Sequence, residues 1–202
     1  GLESLTTTFM GYETLTTSSI ILRLFKDGGI VEEAVEGEEV EVILRETPFY
    51  GEMGGQMADQ GEMNGPAGTL EVKDAVKPLA EVTLHRGKVV KGALREGDPV
   101  EVFVEEGRRL DIARNHTATH LLQAALRSIL GKHIQQRGSL VAPDRLRFDF
   151  THLSPLTDEE KKKIEHEINR YIRQNLSVIT EIVTHSEAIS RGALAFFGEK
   201  YG

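Results

Sequence analysis

The hydrophobic and polar positions of the chain follow two different periods, and the change falls near residue 103. Before it, short segments alternate apolar and polar residues, as in 38–46, where Val40, Val42 and Leu44 share one face. Alternation with period two predicts half-buried strands. Glycine, proline and asparagine separate these segments at roughly 8–12-residue intervals, which is typical of sandwiches and barrels. We therefore predict a small β-barrel for residues 1–103.

Five segments of this half are the strand candidates, and DGG at 27–29 predicts a hairpin turn after the first of them. The candidates are 18–25, 38–46, 68–75, 80–87 and 98–105.

The second half begins with a segment of helical composition. Residues 106–130 contain no glycine or proline after Gly107, and Gly131 is a plausible stop. A half-buried strand is then predicted at 145–151, where apolar and charged residues alternate.

A second helix and two shorter elements complete this half. Thr157 and Glu160 have the spacing of a capping box. Residues 177–184 are strand-like, and Ser186 is the expected cap of a last short helix. The order of elements predicts an α+β domain over 104–202. The stripe expected to face the core of the second helix is Ile164, Ile168, Tyr171 and Ile172.

Composition narrows the class of protein. With 39% hydrophobic and 28% charged residues, the chain is typical of a folded, water-soluble protein. No apolar run approaches the roughly 18 residues of a membrane span, and the first residues do not resemble a signal peptide. The absence of cysteine excludes disulfides and thiolate metal ligands within these residues. We expect a cytoplasmic protein, and the missing initiator Met suggests a piece of a longer one.

Charge is distributed unevenly along the chain. The net charge is −8, which argues against simple polyanion binding, and residues 1–100 account for −9 of it. Residues 107–147, however, carry eight basic and two acidic side chains. A local basic field of this kind suits phosphate contacts. An ordinary solvated surface is the alternative, and charge alone does not decide between the two.

His116 and His120 are the most distinctive candidates for chemistry. Residues at i and i+4 on a helix lie roughly 5–6 Å apart on one face, so both imidazoles could reach one metal ion. At about 100° per residue they fall opposite the expected apolar arc, which disfavours a core role. Two surface histidines remain the alternative. The arc is Ala118, Leu121, Leu122, Ala125 and Ile129, and the histidine side also carries Arg109, Gln123 and Arg127.

The pair is incomplete as a metal site. Zinc normally takes at least three protein ligands. Metalloproteases place a Glu after the first His of such a pair, whereas this chain has Thr117, so a protease is disfavoured. The possible completions, none with a distinctive spacing, are His85, His133, His152, His166 and His185.

Three stretches together resemble the editing region of the alanyl-tRNA synthetases. They are TPFYGEMGGQMADQGEM (47–63), RNHTATHLLQAALRSILGKHIQQRGSLVAPDRLRFDF (114–150) and GALAFFGEKYG (192–202). The resemblance implies a barrel like domain II of elongation factors, followed by an α+β editing core. It also implies hydrolysis of seryl or glycyl esters of tRNA(Ala). An alanine pocket excludes these two amino acids poorly, so a second hydrolytic site is physically expected.

The resemblance assigns roles to particular residues. His116 and His120 match two zinc ligands, and the other two, in a C-x-x-x-H motif, are expected beyond residue 202, so this chain holds half of the site. Gln136 matches a residue implicated in editing catalysis, although a plain loop glutamine is the alternative. The substrate-binding candidates are Gly54, Gly55 and Gln56, which could instead form a hairpin turn, and Asp59, which could orient Gln56 or cap that turn.

The expected reaction is attack by a metal-dependent water on the ester, with Gln136 as a polar positioning group. ATP and magnesium are implied for another domain of the parent ligase. A freestanding editing protein and a catalytically silent tRNA-binding module are the alternatives. The residues expected to hold the tRNA acceptor end through phosphates are Arg108, Arg109, Arg114, Arg127, Lys132 and Arg137.

Overall fold

The computed structural model of the protein describes residues 5–179, 181 and 183–193. These residues form two compact units. The first is Gly1–Ala113 with Ala142–Asp144, and the second is Arg114–Val141 with Arg145–Gly202. None of the described helices is long and apolar enough to cross a membrane.

The first unit is a closed barrel of six antiparallel strands, as the alternating segments predict. Its ring runs β2–β10–β7–β8–β9–β5 and returns to β2, while β3 extends from β2, β4 pairs with β9, and β1 pairs with β6 in parallel. The strands are β1 (Thr8–Phe9), β2 (Thr16–Lys26), β3 (Gly29–Val31), β4 (Glu33–Val35), β5 (Glu39–Leu44), β6 (Glu46–Thr47), β7 (Gly61–Asn64), β8 (Gly68–Leu79), β9 (Val82–Arg95) and β10 (Pro99–Val104).

Alternation accounts for most of the barrel core. Val40, Val42 and Leu44 are buried together inside, which confirms the predicted face of β5. Ile43, on the opposite face, is also fully buried, in a second cluster with Val82 and Leu84. One end of β5 is therefore covered on both faces, which alternation alone does not predict.

Close packing and turn geometry explain two glycine positions. The hairpin between β2 and β3 has Asp27 and Gly28 at φ of 51° and 78°, which confirms the predicted turn. At Gly87 of β9, an added Cβ would lie 2.1 Å from the backbone oxygen of Glu71 on β8. Only glycine allows the two strands to approach this closely.

Helix α1 (Glu106–Leu130) follows the barrel, with the bounds predicted from the sequence. It ends at Gly131, whose φ of 114° is open to glycine and costly for other residues. The first unit extends along this helix to Ala113, beyond the boundary expected near 103. The reason is local, because Arg109 in the first turn is bonded to backbone and side-chain groups of the barrel unit.

The second unit combines helices with a two-stranded antiparallel sheet, which confirms the α+β class. Ala125 and Leu126 of α1 form its core with Ile134 and Ile164, and the phenylalanines of the second strand pack against them. The remaining elements are β11 (Gln136–Val141), β12 (Leu146–Phe150), α2 (Asp158–Gln174) and α3 (His185–Ser190).

Helix α2 begins as predicted. The Thr157 hydroxyl accepts a hydrogen bond from the Glu160 amide, and the Glu160 carboxylate accepts one from the Thr157 amide, which completes the capping box. Ile164 and Ile168 face the core as expected. Ile172 does not, because it is 56% exposed in the last turn of the helix.

Two predictions for the last part of the chain are wrong. The described residues of 177–184 form no strand, and Val178 and Ile179 are 82% and 80% exposed. A β-branched run favours a strand only where a partner strand and a covering layer exist. The cap of α3 is Thr184, whose hydroxyl accepts from the Glu187 amide, while Ser186 lies inside the helix. Residues 194–202 lie outside the described part.

Candidate functional site

The two histidines of α1 lie side by side. Their ring centroids are 5.1 Å apart and the ring planes differ by 14°. His116 is half-buried and His120 is exposed. The i, i+4 spacing thus places both imidazoles next to each other on one helical face, close enough for both to reach one metal ion.

Burial and charge act together on His116. Removal from water and the neighbouring His120 both lower the pKa of the His116 ring below its usual value. The ring is therefore neutral at pH 7, and the neutral imidazole is the form that binds a metal ion.

The sequence interpretation missed a second buried face of α1. Gln123 was expected on the exposed side with the histidines, but it is only 8% exposed, and Thr119 is buried beside it. At 100° per residue, Ile112, Thr119, Gln123 and Leu126 fall within about 60°, directly next to His116. These four residues are seven, four and three positions apart, which is a helical spacing. Because Thr119 and Gln123 are polar, the sequence pattern did not indicate that this face is buried.

The polar members of this face differ in their bonding. The Thr119 hydroxyl donates to the backbone oxygen of Asn115 at 2.9 Å. Nε2 of Gln123 has no hydrogen-bond partner among the described residues. A buried donor of this kind costs about 1–3 kcal/mol while it is unsatisfied.

The described residues supply two metal donors. Within them, no group of three or more His, Cys, Asp or Glu side chains is arranged to hold a metal ion. Two neighbouring imidazoles have the right donor chemistry for zinc, which normally takes at least three protein ligands. His116 and His120 would therefore form part of such a site.

His85 is a core residue of the barrel. Its Nδ1 donates to the backbone oxygen of Val42 at 3.0 Å, and its Nε2 accepts from the Thr47 hydroxyl at 2.7 Å. Burial lowers the pKa of the ring to about 4, so the ring is neutral and both nitrogens are used. His133 and His152 are instead bonded to each other.

Gln136 occupies the first position of β11. It pairs with Phe150 of β12, and the register then shifts between Gln136 and Gly138. Arg137 occupies the extra position of this β-bulge, and Gln136 is half-buried. Bulges commonly redirect a side chain near a functional site. Gln136 thus lies in a strand pair and not in a loop, which was the alternative to its editing role.

Gly54 and Gly55 form a tight turn between Met53 and Gln56. The Gln56 amide donates to the Met53 oxygen at 3.0 Å, and the two glycines have φ of 61° and 85°. Positive φ at both central positions is typical of a type I′ turn. A hairpin turn therefore explains the paired glycines, and no ligand is needed to account for them.

Asp59 is fully buried in an ion pair with Arg109, whose side chain is 15% exposed. The Asp59 carboxylate also accepts from the Tyr50 amide at 2.7 Å. Arg109 donates further to the backbone oxygens of Gly11 and Pro48, each at 2.8 Å. These bonds join the start of α1 to Asp59, after the glycine turn, and to the backbone at Gly11 and Pro48, before it.

The other predicted phosphate-binding cations differ in exposure. Arg108 donates to the Ala58 oxygen at 3.2 Å, and Arg127 donates to the oxygens of Lys132 and Ile134 after the helix. Arg114, Lys132 and Arg137 are exposed. The last three are therefore accessible to a polyanion.

The model of a family described as tRNA synthetases class II (A) matches residues 3–108. A protein named Alanine–tRNA ligase from Chelativorans sp. is 50% identical over 196 residues, covering 97% of this chain and 22% of that protein. Proteins of the same name from Chloroflexus aurantiacus and Roseiflexus sp. are each 46% identical, and they cover 96% and 100% of this chain.

The chain spans 22% of the length of these relatives. The family match covers more than half of the chain and includes the whole barrel and the start of α1. It agrees with the resemblance noted in the sequence. The chain belongs to the class II (A) tRNA synthetase family.

Proposed function

We propose that the chain is the editing region of an ATP-dependent alanine–tRNA ligase, in which it hydrolyses the ester of seryl- or glycyl-tRNA(Ala). The observation that carries the proposal is the pair of parallel imidazoles, 5.1 Å apart on α1, in a member of this family. Editing is needed because glycine is smaller than alanine and therefore enters an alanine pocket. Serine, which adds one hydroxyl, is rejected only weakly by the same pocket.

His116 and His120 would hold a zinc ion, and the lowered pKa of His116 keeps its nitrogen free of a competing proton. Zinc, when bound, supplies a Lewis acid that can polarise an ester or anchor the terminal ribose. Gln136, held at the bulge of β11, would orient the ester or the attacking water through its amide. The ligase reaction, with ATP and magnesium, belongs to another part of the parent enzyme.

The exposed cations of the second unit support binding of the tRNA acceptor end. Arg114, Lys132 and Arg137 would contact phosphates, which position the RNA without reading its sequence. Arg109 is committed to Asp59, so we assign to it a structural role that holds the first turn of α1 within the barrel unit. The substrate-binding role of Gly54, Gly55, Gln56 and Asp59 stays a prediction.

The proposal is tested by deacylation of seryl-tRNA(Ala) with the full-length gene product and with His120→Ala. Loss of a metal donor is expected to lower the rate at least about 100-fold and to reduce bound zinc. His166→Ala, on the exposed face of α2, is the matched control and should leave both unchanged. Full hydrolysis by His120→Ala would refute the metal role.

A tRNA-binding module without hydrolytic activity is the second candidate. It is favoured by the two-donor set, since the described residues offer no third ligand. Binding of tRNA(Ala) without deacylation, by the chain and by the full-length product alike, would support this alternative.

A further inference from the structure

The second unit contains another pair of histidines, which the proposed reaction does not use. Nε2 of His133, in the segment after α1, lies 3.1 Å from Nδ1 of His152, which follows β12. The rings are stacked with centroids 5.4 Å apart. A bond between two ring nitrogens requires one N–H and one lone pair, so at least one ring is neutral.

A threonine next to His152 extends this contact. The Thr151 hydroxyl donates to the backbone oxygen of His133 and accepts from the Gln135 amide, each at 3.0 Å. The Thr151 amide donates to the backbone oxygen of Gln135, also at 3.0 Å. The side chains of 151 and 152 therefore hold the residues immediately before Gln136.

Gln136 needs such support because of its place in the sheet. It is the first residue of β11, and the bulge at Arg137 interrupts the ladder directly after it. End positions of a short ladder open locally at little cost. On the other side of the same segment, Arg127 bonds to the backbone oxygens of Lys132 and Ile134. The segment before Gln136 is thus anchored on two sides, by Arg127 and by the histidine pair.

We propose that His133 and His152 are positioning residues for Gln136, because their mutual hydrogen bond closes the end of the β11–β12 pair. This inference rests on the proposed role of Gln136 in editing. Neither histidine touches substrate in this scheme, and both act through the backbone at Gln135 and Thr151.

The variants separate the hydrogen bond from ring packing. His133→Phe and His152→Phe keep an aromatic ring of similar size and remove the nitrogen. His133→Gln and His152→Asn keep an amide group near the position of the lost nitrogen, so they should restore the contact. His166→Phe, at an exposed position of α2, is the matched control.

Amide hydrogen exchange of this chain gives the first readout, which does not depend on hydrolysis. In the Phe variants, exchange at the Gln135 and Thr151 amides should accelerate roughly 5- to 10-fold, while Leu140 within the ladder stays unchanged. His133→Gln should return within about twofold of the original rate. Unchanged exchange at Gln135 and Thr151 would overturn the proposal. In His120→Ala, which lacks a donor of the proposed zinc site, acceleration by a chelator would overturn it as well, by showing that a metal ion joins the two rings.

Deacylation by the full-length product gives the second readout. Looser positioning of Gln136 should lower kcat about 10-fold with KM within twofold, and His133→Gln should recover kcat. An unchanged kcat together with accelerated exchange would refute the positioning of Gln136. The hydrogen bond between the histidines would then only stabilise the end of the β11–β12 pair. If the unaltered protein did not hydrolyse the ester, both the proposed function and the positioning role would fail. Amide exchange would still show whether the hydrogen bond between the histidines stabilises the end of the strand pair.

Discussion

At the scale of single residues, His85 and His116 both have a lowered pKa but differ in their surroundings. The His85 ring is fully buried, and both of its nitrogens are bonded inside the barrel. The His116 ring is half-buried next to a second imidazole. In this chain the lowered pKa of His85 follows from burial in the barrel core, whereas His116 has a neighbouring imidazole with which it could share a ligand.

The pKa of His85 predicts a pH-dependent barrel stability. The pKa of the ring is about 4 in the folded state and about 6.5 when unfolded, so the unfolded chain binds more protons between these values. The free energy of unfolding should thus be largest above pH 6.5 and fall by about 3 kcal/mol as the pH drops to 4.

Amide exchange in β5 and β9 across this pH range measures the effect. His85→Gln, which stays neutral, should remove most of the pH dependence, although its stability at pH 7 will be lower. His166→Gln is the exposed control. A pH dependence that persisted in His85→Gln would assign it to other groups.

At the scale of elements, the first turn of α1 is held within the barrel unit by a buried ion pair. The Asp59 carboxylate and the Arg109 guanidinium meet inside that unit, and backbone oxygens of Gly11 and Pro48 satisfy further donors of Arg109. A buried charge is tolerated only when it is paired and fully bonded. The pair is therefore a structural requirement for this end of the helix.

The effects of changing the two partners should not be additive. Arg109→Met leaves the Asp59 charge buried without its partner and should cost about 3–5 kcal/mol of unfolding free energy. The double variant with Asp59→Asn should cost less than the sum of the single changes. Urea unfolding followed by circular dichroism measures both.

The control is Arg147→Met, which breaks the exposed ion pair with Asp149 and should cost less than about 1 kcal/mol. If Arg109→Met were as mild as this control, the ion pair would not be what attaches α1.

At the scale of the whole molecule, the negative and the positive charges lie in different parts of the sequence. The first 100 residues carry a net −9, while 107–147 carry eight basic and two acidic side chains. Since attraction to RNA depends on local charge and is screened by salt, a chain of net −8 can still bind tRNA through its basic segment.

Salt dependence tests this division. Lys132→Glu and Arg137→Glu should each weaken tRNA(Ala) binding and reduce the slope of log K against log salt concentration by about 1. Lys91→Glu, an equally exposed change on the barrel, should alter neither quantity appreciably. Equal effects of all three changes would point to general repulsion by the whole molecule.

The sequence by itself determined the barrel, the bounds of α1, the capping box of α2 and the pairing of His116 with His120. These features depend on local periodicity, turn residues and i, i+4 geometry, which a single chain segment carries within itself. The strand predicted at 177–184 was wrong because strand formation is not local. A β-branched run becomes a strand only when a distant partner strand is present.

Only the tertiary structure decided which polar side chains are buried and with whom. It placed Gln123 and Thr119 on a buried face beside His116, paired Asp59 with Arg109, and joined His133 to His152. The partners of the last two pairs are 50 and 19 residues apart in the chain. Contacts of this kind leave no periodic signal in the sequence, because the fold of the intervening chain brings the partners together.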